Sequence, residues 1–190
     1  MFFLAGVDEV GRGCLAGPVV AAAVILDENK PIYGLCDSKK LSPKKRAQLS
    51  AEICLKAKSF AIAEASVEEI DQINILQASL LAMKRAVEAL SIQPHQIQVD
   101  GTFSPEVTMA SEAIIGGEGL IDAISAASII AKVSRDTLMT HFDTVYPGYG
   151  FAKHAGYGTA AHIQALQKQG ICPLHRKSYA PIRKILACTT

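Results

Sequence analysis

The stretch FLAGVDEVGRGCLAGPVVAAAVIL, residues 3–26, decides the reading of the fold. Phe3–Asp8 and Val19–Leu26 are short apolar runs rich in small and β-branched residues, and both read as buried strands. Between them Gly11-Arg12-Gly13 and Gly17-Pro18 break any regular element, so the pair predicts an antiparallel hairpin. Asp8 and Glu9 close the first strand, and two adjacent carboxylates at the end of an apolar strand reach one rim of a sheet.

Outward from this hairpin the chain alternates helices and strands. Ser42-Pro43 has the pattern of an N-cap followed by proline at the first helical position, opening a helix to about Ala57. Ser59–Ala65 predicts a third strand. Ile70, Ile73, Leu76, Leu80, Met83, Val87 and Leu90 recur every three or four residues, the single apolar stripe of one long helix. Ile97–Val99 predicts a strand that ends at Asp100-Gly101, and Ala113–Ile115 a fifth, broken by Gly116-Gly117. Ala123 to about Phe142 predicts a helix whose small-residue face (Ala123, Ala126, Ala127, Ala131) suits close packing on a sheet. Pro147–Gly150 ends that block. Helices at about Gly158–Gln169 and from about Pro181 follow. The expectation is an α/β domain: a mixed β-sheet flanked by helices, with a C-terminal helical extension.

Size and composition narrow the function classes. A chain of 190 residues with 49% hydrophobic and 19% charged residues builds a core without disulfides or a structural metal. The longest apolar run, Val19–Leu26, falls far short of the ~20 residues that cross a bilayer. The apolar N-terminus lacks a basic flank and meets Asp8 and Glu9 at once, unlike a signal peptide. Five cysteines (Cys14, Cys36, Cys54, Cys172, Cys188) at no zinc-ligand spacing read as reduced thiols. These features predict one soluble, cytoplasmic domain over residues 1–190, with a core to about 145 and a basic helical region over 146–190.

The net charge of +1 conceals an asymmetry. Lys153, Lys168, Arg176, Lys177, Arg183 and Lys184 stand in residues 151–190 with no acid among them. A second basic run holds Lys39, Lys40, Lys44, Lys45 and Arg46. Two such patches on a nearly neutral chain suit a polyanion, or else are solvated helix faces. His154 and His175, in the basic tail, could touch phosphate or be solvated. The acidic residues at strand ends carry the chemistry. Asp8, Glu9 and Asp100 would meet if the strands align, and a hard oxygen donor set without His or Cys selects Mg²⁺ or Mn²⁺. Taken singly, Asp100-Gly101 is also an ordinary turn.

The segment Ala5–Gly13 with Gly17–Ala23 resembles the opening of the bacterial type 2 ribonuclease H family. So do Asp37-Ser38-Lys39-Lys40-Leu41-Ser42, Ile70–Ile75, Val99-Asp100-Gly101, Ile124–Asp136 and Tyr149–Tyr157, in the family's order and over nearly the whole chain. The resemblance implies an RNase H-like fold and an endonuclease that cleaves the RNA strand of RNA–DNA hybrids. It also implies nicking of duplex DNA at embedded ribonucleotides, with 5′-phosphate products and two-metal-ion catalysis with Mn²⁺ or Mg²⁺, in ribonucleotide repair and primer removal. By resemblance Asp8, Glu9 and Asp100 match three of four metal-site carboxylates. Gly11, Arg12 and Gly13 match the turn that reads the ribose 2′-hydroxyl through its backbone, and Tyr157 matches the tyrosine that stacks on the junction sugar. Lys39 and the basic tail would hold phosphates, and the family suggests a monomer.

The fourth carboxylate departs from the family's pattern, which usually has Asp seven residues before the serine of the Ser-Ala-Ala-Ser block. That position is Glu118, whereas Asp122 sits at a helix start, where the dipole favours a carboxylate for structural reasons. Glu118 is the expected fourth catalytic residue. Two other functions stay in view: a hybrid-binding protein whose chemistry is impaired by Glu118, and a DNA resolvase or transposase-like nuclease on the same fold.

Overall fold

The computed structural model describes residues 2–187, and Cys188 lies outside them. Strands β1 (Leu4–Val10) and β2 (Val19–Ile25) pair antiparallel, Val7 opposite Ala23 and Val10 opposite Val20, as the hairpin reading expects. Helix α1 (Pro43–Lys56) starts at Ser42, whose hydroxyl accepts from the Lys45 amide. Strands β3 (Ser59–Ala65), β4 (Gln96–Asp100) and β5 (Ala110–Ile114) complete one five-stranded sheet in the order β3-β2-β1-β4-β5. The β1–β4 and β4–β5 pairs are parallel, so the sheet is mixed.

Every residue of β2 is buried, because both faces of the sheet are covered. On one face α3 (Asp122–Val145) and α1 bury Ala22, Val24, Leu49, Ile53 and the alanine side of α3. The approach is close: a Cβ on Gly6 would stand 2.1 Å from the Ala123 carbonyl carbon. On the other face α2 (Val67–Glu88) packs Ile70, Ala78, Ala82, Met83, Ala86 and Val87 against β1–β4.

Strand β1 runs two residues past the expected end at Asp8, a short helix at Phe151–His154 was not expected, and two further elements differ from the sequence reading. The stripe predicted for α2 is not continuous. Asn74 takes φ 68 and ψ 165, and its side chain accepts from the Leu76 and Gln77 amides, so it caps a second helical segment and resets the register. Ile73 is consequently exposed. Strand β5 begins three residues earlier than expected, as a largely exposed edge whose side chains show no alternation.

The C-terminal region consists of α4 (Phe151–His154), α5 (Ala160–Gln169) and α6 (Ala180–Ala187). Its apolar side chains (Phe151, Leu166, Ile182) join Leu15, Ala16 and Met139 in a third core cluster. The region therefore packs on the loop between β1 and β2. No described helix is long and apolar enough to cross a membrane.

Candidate active site

Parallel pairing of β1 and β4, with Val7 opposite Val99, aligns the strand ends and brings Asp8 beside Asp100. Asp8 is 5% exposed. Burial first, and then the neighbouring charge of Glu9, holds its carboxyl well above the usual range, with Asp100 adding to the rise. Glu9 and Asp100 are also raised, each chiefly by burial. Arg12 pulls Glu9 back, and Glu118 pushes Asp100 further up. The Arg12 Nη1 stands 3.3 Å from Glu9 Oε1.

Glu118 arrives on a short 3₁₀ turn, Gly117–Gly119, between β5 and α3. Its Oε1 lies 2.8 Å from Lys39 Nζ, and its Oε2 is 3.0 Å from the Ser128 hydroxyl. Ser125 donates to the Glu118 carbonyl at 2.8 Å. The buried Ser38 hydroxyl meets Ser128 Oγ at 2.9 Å, and Arg46 holds the Ser38 carbonyl. The Asp37–Lys40 turn is thereby tied to the acidic rim, and Lys39 stands on Glu118 with its side chain 75% exposed. Asp122, the other candidate, opens instead onto a separate groove beside Phe3, Leu26 and Lys58, consistent with its reading as a helix-start residue.

Asp8, Glu9 and Asp100 are all raised on this one rim, and the donor chemistry is that of a hard-cation site. Asp100 Oδ1 is buried with no hydrogen-bond partner. A buried carboxylate oxygen left without a protein donor suits a bound ion or water. Among the described residues no three His, Cys, Asp or Glu side chains already converge as a ligand cage. Glu118 is turned onto Lys39, which offsets charge in the same rim. The residues fit a divalent ion by chemistry, with side-chain adjustment to close around it.

Beside this rim lies the Gly11–Gly13 turn. Gly13 is exposed, and a Cβ there would meet nothing within 4 Å. Gly11 is different. It is buried at φ +100, and a Cβ would stand 2.2 Å from Arg135 Nε. The sequence reading assigned both glycines the same role, close approach of a sugar, but Gly11 is required by packing inside the protein. Tyr157 forms an isolated antiparallel bridge with Cys14, and its residue is 42% exposed, so the ring stands at the edge of the turn. Burial, and the Cys14 thiol beside it, push its phenol up.

The basic tail requires two corrections. Lys153, Lys168, Lys177, Arg183 and Lys184 are exposed, as a phosphate-facing surface needs. Arg176 is fully buried and bonds backbone carbonyls, so it cannot meet phosphate. His175, also fully buried, places its Nε2 3.1 Å from His162 Nε2, and burial lowers its pKa to about 4. His154 bonds the Tyr149 carbonyl at 2.8 Å. Sequence reasoning missed Ser128, Arg135 and Asp71. Asp71 accepts from the Lys177 and Ser178 amides and the Ser178 hydroxyl. The Ser125-x-x-Ser128 spacing, which puts both hydroxyls on one helix face, was a signal for the first.

Residues 5–182 match the family model described as Ribonuclease HII. A protein named Ribonuclease HII from Polaromonas sp. (strain JS666 / ATCC BAA-500) is 57% identical over 183 residues, covering 96% of this chain and 92% of that protein. The crystal structure of ribonuclease H2 from Pyrococcus horikoshii OT3 is similar with a TM-score of 0.82 at 26% identity, over 98% of each chain. Bst-RNase HIII in complex with Mn²⁺ shares the fold at 18% identity, with a TM-score of 0.76 over 100% of this chain and 70% of that one.

Proposed function

Because the chain belongs to the ribonuclease HII family, endonucleases that degrade the RNA of RNA–DNA hybrids, we propose that it also nicks duplex DNA at embedded ribonucleotides and leaves 5′-phosphate ends. Asp8, Glu9, Asp100 and Glu118 would hold two divalent ions, Mn²⁺ or Mg²⁺. Such ions, when bound, supply a water of lowered pKa and neutralise charge on the leaving oxygen. The protein works as a monomeric single domain in the cytoplasm, in ribonucleotide repair and primer removal.

The single observation that carries this reading is the Cys14–Tyr157 bridge. It sets an exposed aromatic ring beside an exposed glycine turn, one salt bridge away from the acidic rim. A 2′-hydroxyl both donates and accepts, and exposed backbone amides at Arg12 and Gly13 suit it. Tyr157 offers a flat face to the adjoining sugar. Glu9 orients Arg12, Ser128 holds Glu118, and Lys39 stands ready to exchange Glu118 for a phosphate oxygen. A site that pairs with a hydroxyl rejects the analogue lacking it by up to ~10⁴-fold.

The test is a DNA duplex carrying one ribonucleotide and its all-DNA counterpart, each incubated with Mg²⁺ or Mn²⁺. Nicking of the first alone is the expected result. Cutting of the all-DNA duplex would favour a general DNA nuclease, and tight binding without nicking would favour a hybrid-binding protein.

A further inference from the structure

Beneath the Gly11–Gly13 turn lie two guanidinium groups that are completely buried. Arg176 donates from Nε to the Gly17 carbonyl at 3.0 Å and from Nη2 to the Gly11 and Gly17 carbonyls at 2.7 and 2.8 Å. Its Nη1 donates to the Arg12 carbonyl at 2.8 Å and to the Tyr179 hydroxyl at 2.9 Å. The Tyr179 hydroxyl donates in turn to the same Arg12 carbonyl. Arg135 donates to the carbonyls of Ala16, Pro18 and Ala155. Burial pushes the Arg176 guanidinium down, yet a guanidinium keeps its proton in proteins. Among the described residues neither arginine pairs with a carboxylate. A desolvated charge is thus satisfied by the backbone of the loop above it.

This arrangement dictates where the opposite edges of those peptides point. A trans peptide is planar, with its C=O and N–H antiparallel. Carbonyls of Gly11 and Arg12 drawn down onto Arg176 turn the amides of Arg12 and Gly13 up toward solvent. Neither amide donates to another described residue, and both residues are exposed. Below them sits an undiluted positive charge that raises the potential at those donors. The segment bearing Arg176 is itself moored to α2 through Asp71.

We infer that Arg176 is a positioning residue for ribonucleotide recognition: its five hydrogen bonds, with the Tyr179 hydroxyl, aim the Arg12 and Gly13 amides at the 2′-hydroxyl and adjoining phosphate of the substrate. This rests on the reading that the turn meets the ribonucleotide. Arg176 touches no substrate atom and acts wholly through the turn. A lysine in its place keeps the charge but loses the planar fork that holds three carbonyls in one direction. The loss falls on discrimination rather than on general affinity for duplex, which the exposed tail cations supply.

The experiment measures binding of the folded full-length protein to the single-ribonucleotide duplex and to the all-DNA duplex at one salt concentration. The readout is the Kd for the all-DNA duplex divided by the Kd for the single-ribonucleotide duplex. Arg176→Lys should lower that ratio about tenfold, the scale of one or two misdirected hydrogen bonds, with the all-DNA Kd within about twofold of the parent. Tyr179→Phe, which removes the second donor to the Arg12 carbonyl and the Tyr179 acceptor of Arg176 Nη1, should lower it about threefold in protein that still folds. A folded Arg176→Lys that keeps the parent's ratio overturns the inference. Should Arg176→Lys fail to fold, Tyr179→Phe decides in the same way. Equal binding of both duplexes by the parent would instead overturn the underlying reading of the turn.

Discussion

Alanine at Gly13 and alanine at Gly11 should have opposite consequences, although the two positions are two residues apart in one motif. At Gly13 the new methyl group points into open space, with no heavy atom within 4 Å. Stability should change by no more than about 0.5 kcal/mol, as for other surface substitutions away from special features. At Gly11 the backbone has φ +100, and the methyl would sit 2.2 Å from Arg135 Nε and 2.8 Å from its Cδ and Cζ. The backbone strain costs ~1–3 kcal/mol. Displacing a buried guanidinium from a carbonyl costs ~1.5–3 kcal/mol more. A total of about 3 kcal/mol or more lowers Tm by roughly 6–12 °C in a chain of this size. Melting by circular dichroism, with nicking of a duplex bearing one ribonucleotide, reads both effects. Gly13→Ala should melt like the parent and lose at least tenfold in nicking, because its methyl occupies the space the sugar needs. Gly11→Ala should melt early. A Gly13→Ala protein that nicks normally, or a Gly11→Ala protein that melts with the parent, would refute this division of roles.

Four further outcomes are expected. Asp8→Asn should abolish nicking while melting no lower than the parent in chelator, since it relieves repulsion in a crowded acidic rim; residual full activity would remove Asp8 from the site. Glu118→Gln should slow turnover at least tenfold, whereas Asp122→Asn should change only stability, by at most ~1 kcal/mol, as turnover and melting together would report. His175 is buried neutral with its pKa lowered to about 4, and it faces His162, which stacks in turn on His154. The unfolded chain takes up that proton near pH 6.5 and the folded one does not until about 4, so His175 should contribute a loss of stability on the order of 3 kcal/mol across that window, against the opposite contribution of the raised carboxylates; a folded His175→Gln protein whose melting falls with pH as the parent's does would contradict it. Replacing Lys153 and Lys177 by Gln should reduce the slope of log K against log salt by close to 0.9 for each phosphate that is no longer neutralised, and an unchanged slope would make these lysines a solvated face.

How much of this was legible in the sequence follows from where each signal resides. The hairpin, the Ser42 cap and the acidic strand ends are local patterns; Asp100 ends β4 as expected, whereas Asp8 and Glu9 stand just inside the end of β1, which runs on to Val10. Glu118 could be found only by counting back from a motif, because a glycine-broken turn has no periodicity of its own. The kink at Asn74 hid inside a regular apolar spacing; an asparagine capping a second helix is indistinguishable from one on a helix surface until the backbone is known. Arg176 was the least legible. Its partners are backbone carbonyls about 160 positions away, and a carbonyl leaves no trace in residue identity. In a run of lysines and arginines with no acid nearby, composition marks Arg176 as solvated like its neighbours.

The distance along the chain between the Gly11 carbonyl and Arg176 is 165 residues, and this orders the molecule's own birth. Synthesis proceeds from the N-terminus at ~5–20 residues per second. All five strands and the four acidic residues are made before residue 119, and α3, which covers one face of the sheet, is complete at Val145. The Gly11–Gly13 turn is translated well before Arg176, the residue that holds its carbonyls. At that rate the stretch from Glu118 to Arg176 takes on the order of seconds, so every residue of the acidic rim exists for that time before the turn can be held from below. The loop between β1 and β2 reaches its final hydrogen bonding only when the segment bearing Arg176 has emerged and closed beneath it.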